Sequence, residues 1–247
     1  MLLRHFLSAA VVLAALAGPA SAACGPEALG TARTLVVDGT GGPKFGRKHY
    51  PATLDLADRE LVLTFDDGPA AGTTARILEA LARECVRATF FLIGRNAAGL
   101  PDLAARTARE GHSIANHTWS HPWTIDKLSH DKGLAEIDNG AAAISRAIGS
   151  AGRLSPFVRF PGFVETPTLL AELGRRNIAT FGADLWASDW NPMTPEAQLS
   201  LVLGRVEQAR RGIVLFHDTK EQTAAMIPAF LRELKRRGYK VVHVVGR

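Results

Sequence analysis

Cysteine is nearly absent. The 247-residue chain holds two, Cys24 and Cys85, so no thiolate cluster is available for a zinc knuckle and at most one disulfide can form. Spacing alone does not show that the two meet, and Cys85 reads as a small buried hydrophobe. Basic stripes are missing as well. The chain carries 29 Lys and Arg against 24 Asp and Glu, a net charge of +5, scattered except for Lys235-Arg236-Arg237. No basic run is interleaved with aromatics, so nucleic acid is not an expected partner. Only one long apolar run occurs, Phe6 to Gly18, behind a basic start at Arg4 and ahead of Pro19-Ala20-Ser21-Ala22. It falls short of the roughly 20 apolar residues that a spanning helix needs. Residues 1–22 are therefore expected to be a secretory signal cut after Ala22, leaving a secreted or periplasmic protein with no stable membrane span.

What is present is a chain able to bury a full core, with 47% hydrophobic and 21% charged residues. Residues 23–58 are rich in Gly, Pro and polar side chains, with a turn signal at Gly39-Thr40-Gly41-Gly42-Pro43. They read as an N-terminal extension without visible chemistry, packed against a catalytic domain at 59–247. From Leu61 onward, short β-rich apolar runs alternate with helical stretches. The predicted strands cover 61–66, 88–93, 113–116, 157–160, 179–185, 213–216 and 241–245. The predicted helices cover 73–84, 100–110, 137–148, 168–175, 195–211 and 221–237, with helix starts signalled at Thr166-Pro167 and Thr194-Pro195. Apolar runs without polar alternation suit strands covered on both faces. The alternation predicts an α/β fold with about seven parallel strands. Asp66, Asp67, His117, Asp184, His217 and Asp218 all fall at or near the C-terminal end of a predicted strand. Convergence at that rim is the habit of α/β barrels, so a distorted or incomplete (β/α) barrel is expected.

Two motifs carry the chemistry. In Thr64-Phe65-Asp66-Asp67-Gly68-Pro69 a strand ends on adjacent carboxylates. On extended backbone their side chains point to opposite sides, one able to face a metal and the other a different part of the cleft. In His117-Thr118-Trp119-Ser120-His121 the two imidazoles share a face if the segment turns helically. Two His and one carboxylate form a common ligand set that leaves positions open for water and substrate. The second carboxylate can then take a proton from that water. His217 ends the strand 213–216 and is placed to protonate a leaving group, with Asp218 either orienting it or capping the next helix. Arg159, in an apolar strand, needs a carboxylate partner, and Asp66 is the candidate. Trp190 reads equally as a sugar platform or as core.

These motifs resemble the polysaccharide deacetylases of the NodB-homology type, a carbohydrate esterase family. The resemblance runs from Leu61 to Val245 through TFDDGP (64–69), HTWSH (117–121), RFPGF (159–163), DLWASDW (184–190) and IVLFHD (213–218). It implies a distorted (β/α) barrel and a divalent metal, usually Zn2+, sometimes Co2+ or another transition ion. It implies Asp66 as general base, Asp67, His117 and His121 as metal ligands, and His217 as general acid. It further implies Arg159 as the tether of the base, Asp189 as support for His217, Trp190 as a groove wall and Leu215 in the acetyl-methyl pocket. Two places depart from the family pattern. Pro161-Gly162-Phe163 replaces a common Pro-Tyr, which moves the expected backbone oxyanion donor to Gly162. Trp186-Ala187-Ser188 replaces a more acidic or serine-rich centre. The implied partner is an acetylated glycan: chitin-like, peptidoglycan or hemicellulose. The alternatives are a same-fold hydrolase of a small amide, imide or formamide, and a carbohydrate-binding protein without catalysis.

Overall fold

The structure, a computed structural model, describes residues 24–247; the expected signal segment at 1–22 lies outside the described residues. In chain order the elements are β1 (Thr31–Val37), β2 (Lys44–Phe45), β3 (Glu60–Asp66), α1 (Thr73–Arg83), β4 (Thr89–Leu92), α2 (Gly94–Gly99), α3 (Pro101–Arg109), β5 (Ser113–Asn116) and α4 (His130–Ile148). There follow β6 (Leu154–Val158), α5 (Pro167–Arg175), β7 (Ala179–Phe181), β8 (Leu185–Trp186), α6 (Pro195–Ala209), β9 (Gly212–His217), α7 (Glu221–Arg236) and β10 (Lys240–Gly246). Every strand pair among the described residues is parallel. One edge of β3 is shared by β10 at its start and β4 at its end, while β9 takes the other edge. From β4 the sheet continues through β5, β6 and β7 to β2, and from β9 it ends at β8. The result is one parallel sheet curled into an incompletely closed barrel, with inward residues of its strands meeting in one cluster and helices outside it. Two helices start as expected, with Pro in the first turn and a Thr cap: Thr166 accepts from the Leu169 N–H and Thr194 from that of Ala197, each at 3.2 Å. No helix among the described residues is long and apolar enough to cross a membrane.

Side-chain alternation decides what each strand face meets. On β3, Leu61, Leu63 and Phe65 pack outward against Ile77, Leu81 and Phe230 of the helices. Val62 points inward, to Phe91, Phe157, Phe181, Ile213 and Val242. On β9, Val214 and Phe216 go out and Ile213 goes in. The register pairs Val62 with Ile213, Thr64 with Leu215, and Asp66 with His217. The inward column thus climbs from an apolar floor to two titratable groups at the C-terminal rim.

Among the described residues ten strands stand where about seven were expected, and the N-terminal extension supplies two of them. β1 lies against β10, and β2 against β7. Val37, Leu54 and Leu56 enter the interior cluster, so this segment fills the barrel as well as covering it. The expected strand 179–185 is broken into β7 and β8 at Gly182-Ala183-Asp184. There the extension runs alongside: Gly182 N–H donates to Phe45 O at 2.6 Å and Lys48 N–H to Ala183 O at 3.0 Å. The reading of Cys85 as a lone buried hydrophobe is corrected. Cys24 and Cys85 form a disulfide with Cα atoms 5.9 Å apart. Residues 29–31 bring them together, since the Gly30 N–H bonds Glu84 O at 2.8 Å and Thr31 Oγ1 bonds Cys85 O at 3.3 Å.

Asp184, expected at the end of a strand, lies instead in the break before β8, beside the start of β9, and acts as a clasp. Its carboxylate accepts from the Arg47 N–H at 2.8 Å, Thr53 Oγ1 at 2.6 Å and the Ile213 N–H at 2.8 Å. It joins the extension to β9 across the seam of the barrel. Asp184→Ala is expected to lower stability by about 3 kcal/mol, because hydrogen bonds to a charged acceptor contribute roughly 1.5–3 kcal/mol each and this group is only partly desolvated. Urea unfolding reads the change; an unmoved midpoint would show that the seam holds without it.

Candidate active site

Three ligand atoms converge at the rim. Asp67, His117 and His121 each present one within 4.8 Å of the others, the one such cluster found among the described residues. Asp67 Oδ1 lies 3.5 Å from His117 Nε2 and 3.3 Å from His121 Nε2. It is buried and has no hydrogen-bond partner. His117 is oriented from behind, its Nδ1 2.7 Å from Arg159 O, which leaves Nε2 as the free lone pair. Burial, then the His117 ring, keeps His121 below the usual imidazole range. Burial works to raise the Asp67 carboxyl, but the His117, His217 and His121 rings hold it below the usual carboxylate range. One carboxylate and two imidazoles, converging with an orphaned carboxylate oxygen among them, fit a divalent ion.

The local backbone differs from the expectation in two ways. His117–His121 is not a helical turn. Thr118 and His121 adopt φ of 67° and 61°, and this tight loop brings the imidazole centroids to 4.8 Å. It is clasped by Gly94 N–H to Thr118 O at 2.8 Å and Trp119 N–H to Glu136 O at 2.8 Å. Gly140 permits the approach of α4, since a Cβ there would sit 2.6 Å from the Thr118 carbonyl carbon. Nor do the adjacent aspartates diverge. Asp67 leaves the strand at φ 78°, so Asp66 Oδ2, 3.8 Å from His117 Nε2, faces the same site. Left-handed non-glycine residues are costly, and their concentration here is typical of a functional centre.

Asp66 is 2% exposed and is held by Arg159, which is fully buried. Arg159 Nη1 donates to Asp66 Oδ1 at 2.6 Å and to Thr64 Oγ1 at 2.9 Å, and Nη2 donates to Gly182 O at 2.8 Å. The guanidinium carbon sits 4.1 Å from the Phe91 ring centroid. One residue thus serves both motifs, its carbonyl aiming His117 and its side chain fixing Asp66.

His217 is held by Asp189, not by Asp218. Asp189 Oδ1 lies 2.7 Å from His217 Nδ1, and its Oδ2 accepts from the His217 N–H at 2.6 Å and Thr223 Oγ1 at 2.7 Å. Burial would lower the imidazole, yet the Asp189 hydrogen bond and charge, with Asp67 and Asp66 beyond, raise it to about 9. Asp218 is buried beneath Gly68, bonded to Thr74 Oγ1 at 2.7 Å. Burial pushes its carboxyl up to about 7.

Of the remaining expected residues, Leu215 is 2% exposed, one pleat below His217 on the same face. Trp190 is 44% exposed and edge-on to His217 at 5.9 Å. It continues into Trp186 at 5.6 Å and then Phe163 at 6.5 Å. Pro161 is buried and Gly162 is exposed at φ 59°. Two neighbours had no expected role. Trp123, 68% exposed, stands edge-on to His121 at 4.6 Å and packs on Gly162. Its place two residues past His121 was the available signal. His49, from the extension, stacks on Phe163 at 3.9 Å, and nothing in its own segment marks it.

Comparison with known proteins places this geometry. The family model described as polysaccharide deacetylase matches residues 54–178. A chitooligosaccharide deacetylase of Bradyrhizobium sp. is 32% identical, the match covering 74% of this chain and 88% of that protein. A peptidoglycan deacetylase of Bdellovibrio bacteriovorus superposes with a TM-score of 0.78 at 34% identity, over 87% of this chain and 58% of that longer one. A family 4 carbohydrate esterase from Streptomyces lividans, solved with acetate, superposes with a TM-score of 0.64 at 30% identity, over 74% of this chain and 91% of that one.

Proposed function

This chain belongs to the polysaccharide deacetylase family, and on that premise we propose that it hydrolyses N-acetyl groups on a chitooligosaccharide or peptidoglycan-type glycan, releasing acetate. The observation that carries the reading is the convergence of Asp67, His117 and His121 beside an arginine-held Asp66 and an aspartate-held His217. Asp67, His117 and His121 would hold a divalent ion, which we take to be zinc; bound there, it supplies Lewis acidity toward water and the acetyl carbonyl. Asp66 accepts the proton of the attacking water, and Arg159 keeps it aimed. Gly162 offers its backbone N–H to the developing oxyanion. His217 gives its proton to the departing nitrogen, and Asp189 stabilises the imidazolium until then. Leu215 floors the acetyl methyl, and Trp190 and Trp123 wall the glycan. The Cys24–Cys85 disulfide supports an oxidising setting outside the cytoplasm, secreted or periplasmic.

Acetate release from chitin oligomers, peptidoglycan, acetylated xylan and small amides, with chelation and zinc add-back, tests this. Metal-dependent release from the N-acetylated glycans is expected. Turnover confined to small amides, or none with metal present, would overturn it.

The acid step also predicts a pH limb. His217 acts protonated, so kcat/KM should hold below about 9 and fall about tenfold per unit above it. A dication on Asp67 draws the limb lower by offsetting that carboxylate's field. Asp189→Asn removes the principal raising influence and should shift the limb acidward by about one unit or more. A pH–rate profile insensitive to that substitution would remove His217 as the acid.

A further inference from the structure

The loop at 161–165 is held in a conformation that side chains resist. Gly162 and Phe163 take φ of 59° and 58° in succession, and a non-glycine residue rarely adopts such a backbone unless its surroundings impose it. Phe163 and Val164 spend their N–H groups on Phe160 O and Pro161 O, at 3.1 and 3.3 Å. The N–H of Gly162 has no backbone acceptor among the described loop bonds, so it remains available.

Two neighbours from the extension grip this loop. The His49 ring stacks on Phe163 with centroids 3.9 Å apart and planes 17° apart. Tyr50 OH donates to Glu165 Oε1 at 3.1 Å, from a buried position. Both sit on a rigid base. The 46–52 turn is closed by His49 N–H and Tyr50 N–H to Gly46 O, at 3.0 and 2.9 Å, and by Gly46 N–H to Ala52 O at 2.9 Å. Lys48 N–H then ties the turn to Ala183 O at 3.0 Å. The opposite face of the loop meets Trp123, which itself abuts His121.

We infer that the N-terminal extension is a positioning element of the active site: His49 and Tyr50 clamp the 161–165 loop so that the Gly162 N–H is presented to the reacting acetyl group. The inference rests on the deacetylase reading. His49 and Tyr50 act through the loop and do not touch substrate. Small misplacements of an oxyanion donor are costly, so the effect belongs in kcat.

The test compares His49→Ala, Tyr50→Phe and the double variant with the full protein. Acetate release by His49→Ala is expected to show kcat reduced about ten- to a hundredfold with KM and zinc content near wild type. His49→Phe keeps the stacked ring and should recover most of that loss. The double variant should lose less than the product of the two singles, because both act on one loop. Leu54→Ala, which cuts an interior contact of the extension away from the loop, serves as the stability control and should keep its kcat per folded molecule. In the metal-free protein, hydrogen exchange over residues 160–166 should quicken in His49→Ala and not in Leu54→Ala. That arm stands even if the wild type releases no acetate, an outcome that sinks the deacetylase reading alone. Unchanged exchange over 160–166, or a kcat loss matched by Leu54→Ala and not rescued by His49→Phe, would overturn the positioning role.

Discussion

Asp66→Asn is expected to cut acetate release by about a hundred- to ten-thousandfold, the range for losing a positioned general base. Asn keeps the size and one acceptor oxygen, so the Asp67, His117 and His121 cluster should survive and zinc content should stay stoichiometric. The variant is not free of structural cost. Arg159 is fully buried, and the substitution removes its only carboxylate partner among the described residues. It retains Thr64 Oγ1 and Gly182 O, and the new amide oxygen still accepts, so the loss should be about 2–3 kcal/mol, not the larger penalty of an unpaired buried ion. Activity must therefore be normalised to folded protein, measured by circular dichroism at each assay temperature. Near-wild-type acetate release from a folded, zinc-loaded Asp66→Asn would remove Asp66 as the base and turn attention to Asp218, whose carboxyl is buried beneath Gly68 and whose N–H bonds Asp66 O.

The parts of this site that were legible in the sequence are those where a strand ends on a reactive side chain. Asp66 and His217 follow apolar runs, and period-two alternation carries both to the same face of adjacent strands. Arg159 was legible because a guanidinium in an apolar strand demands a carboxylate, and Asp66 lies 2.6 Å from it. What stayed hidden depends on tertiary context. The HxxxH spacing suggested a helix, but left-handed turns at Thr118 and His121, enforced by α2 and α4, bring the rings together instead. The adjacent aspartates converge because Asp67 has already left the strand. The extension was the largest omission. β1 alternates exposed and half-buried residues up to Val37 and has only the three-residue apolar stretch Leu35-Val36-Val37, and β2 is two residues long, so neither stands out locally. Their pairing with β10 and β7 is long-range, and local pattern cannot report it.

His117→Ala carries the other large effect. Losing one of three protein ligands should weaken zinc binding well beyond the 10–100-fold typical of losing a mere supporting contact. His117 is also 2% exposed, so truncation opens a cavity against Arg159 O and strips that carbonyl of its partner. Two readouts separate these consequences. Elemental analysis after dialysis should find the wild type loaded and the variant empty. Thermal unfolding with and without chelator should show wild-type stabilisation by zinc of about 2.7 kcal/mol at a hundredfold excess over Kd. In the variant that metal-dependent increment should vanish, while the cavity lowers stability equally in both conditions. His121→Ala should behave likewise with a smaller cavity penalty, its side chain being 10% exposed against 3% for His117. Asp189→Asn should keep its metal, because Asp189 holds His217 and touches no ligand atom of the cluster. A full complement of zinc in His117→Ala would mean that Asp67, His117 and His121 do not form the metal site, and the hydrolytic reading would fall with them.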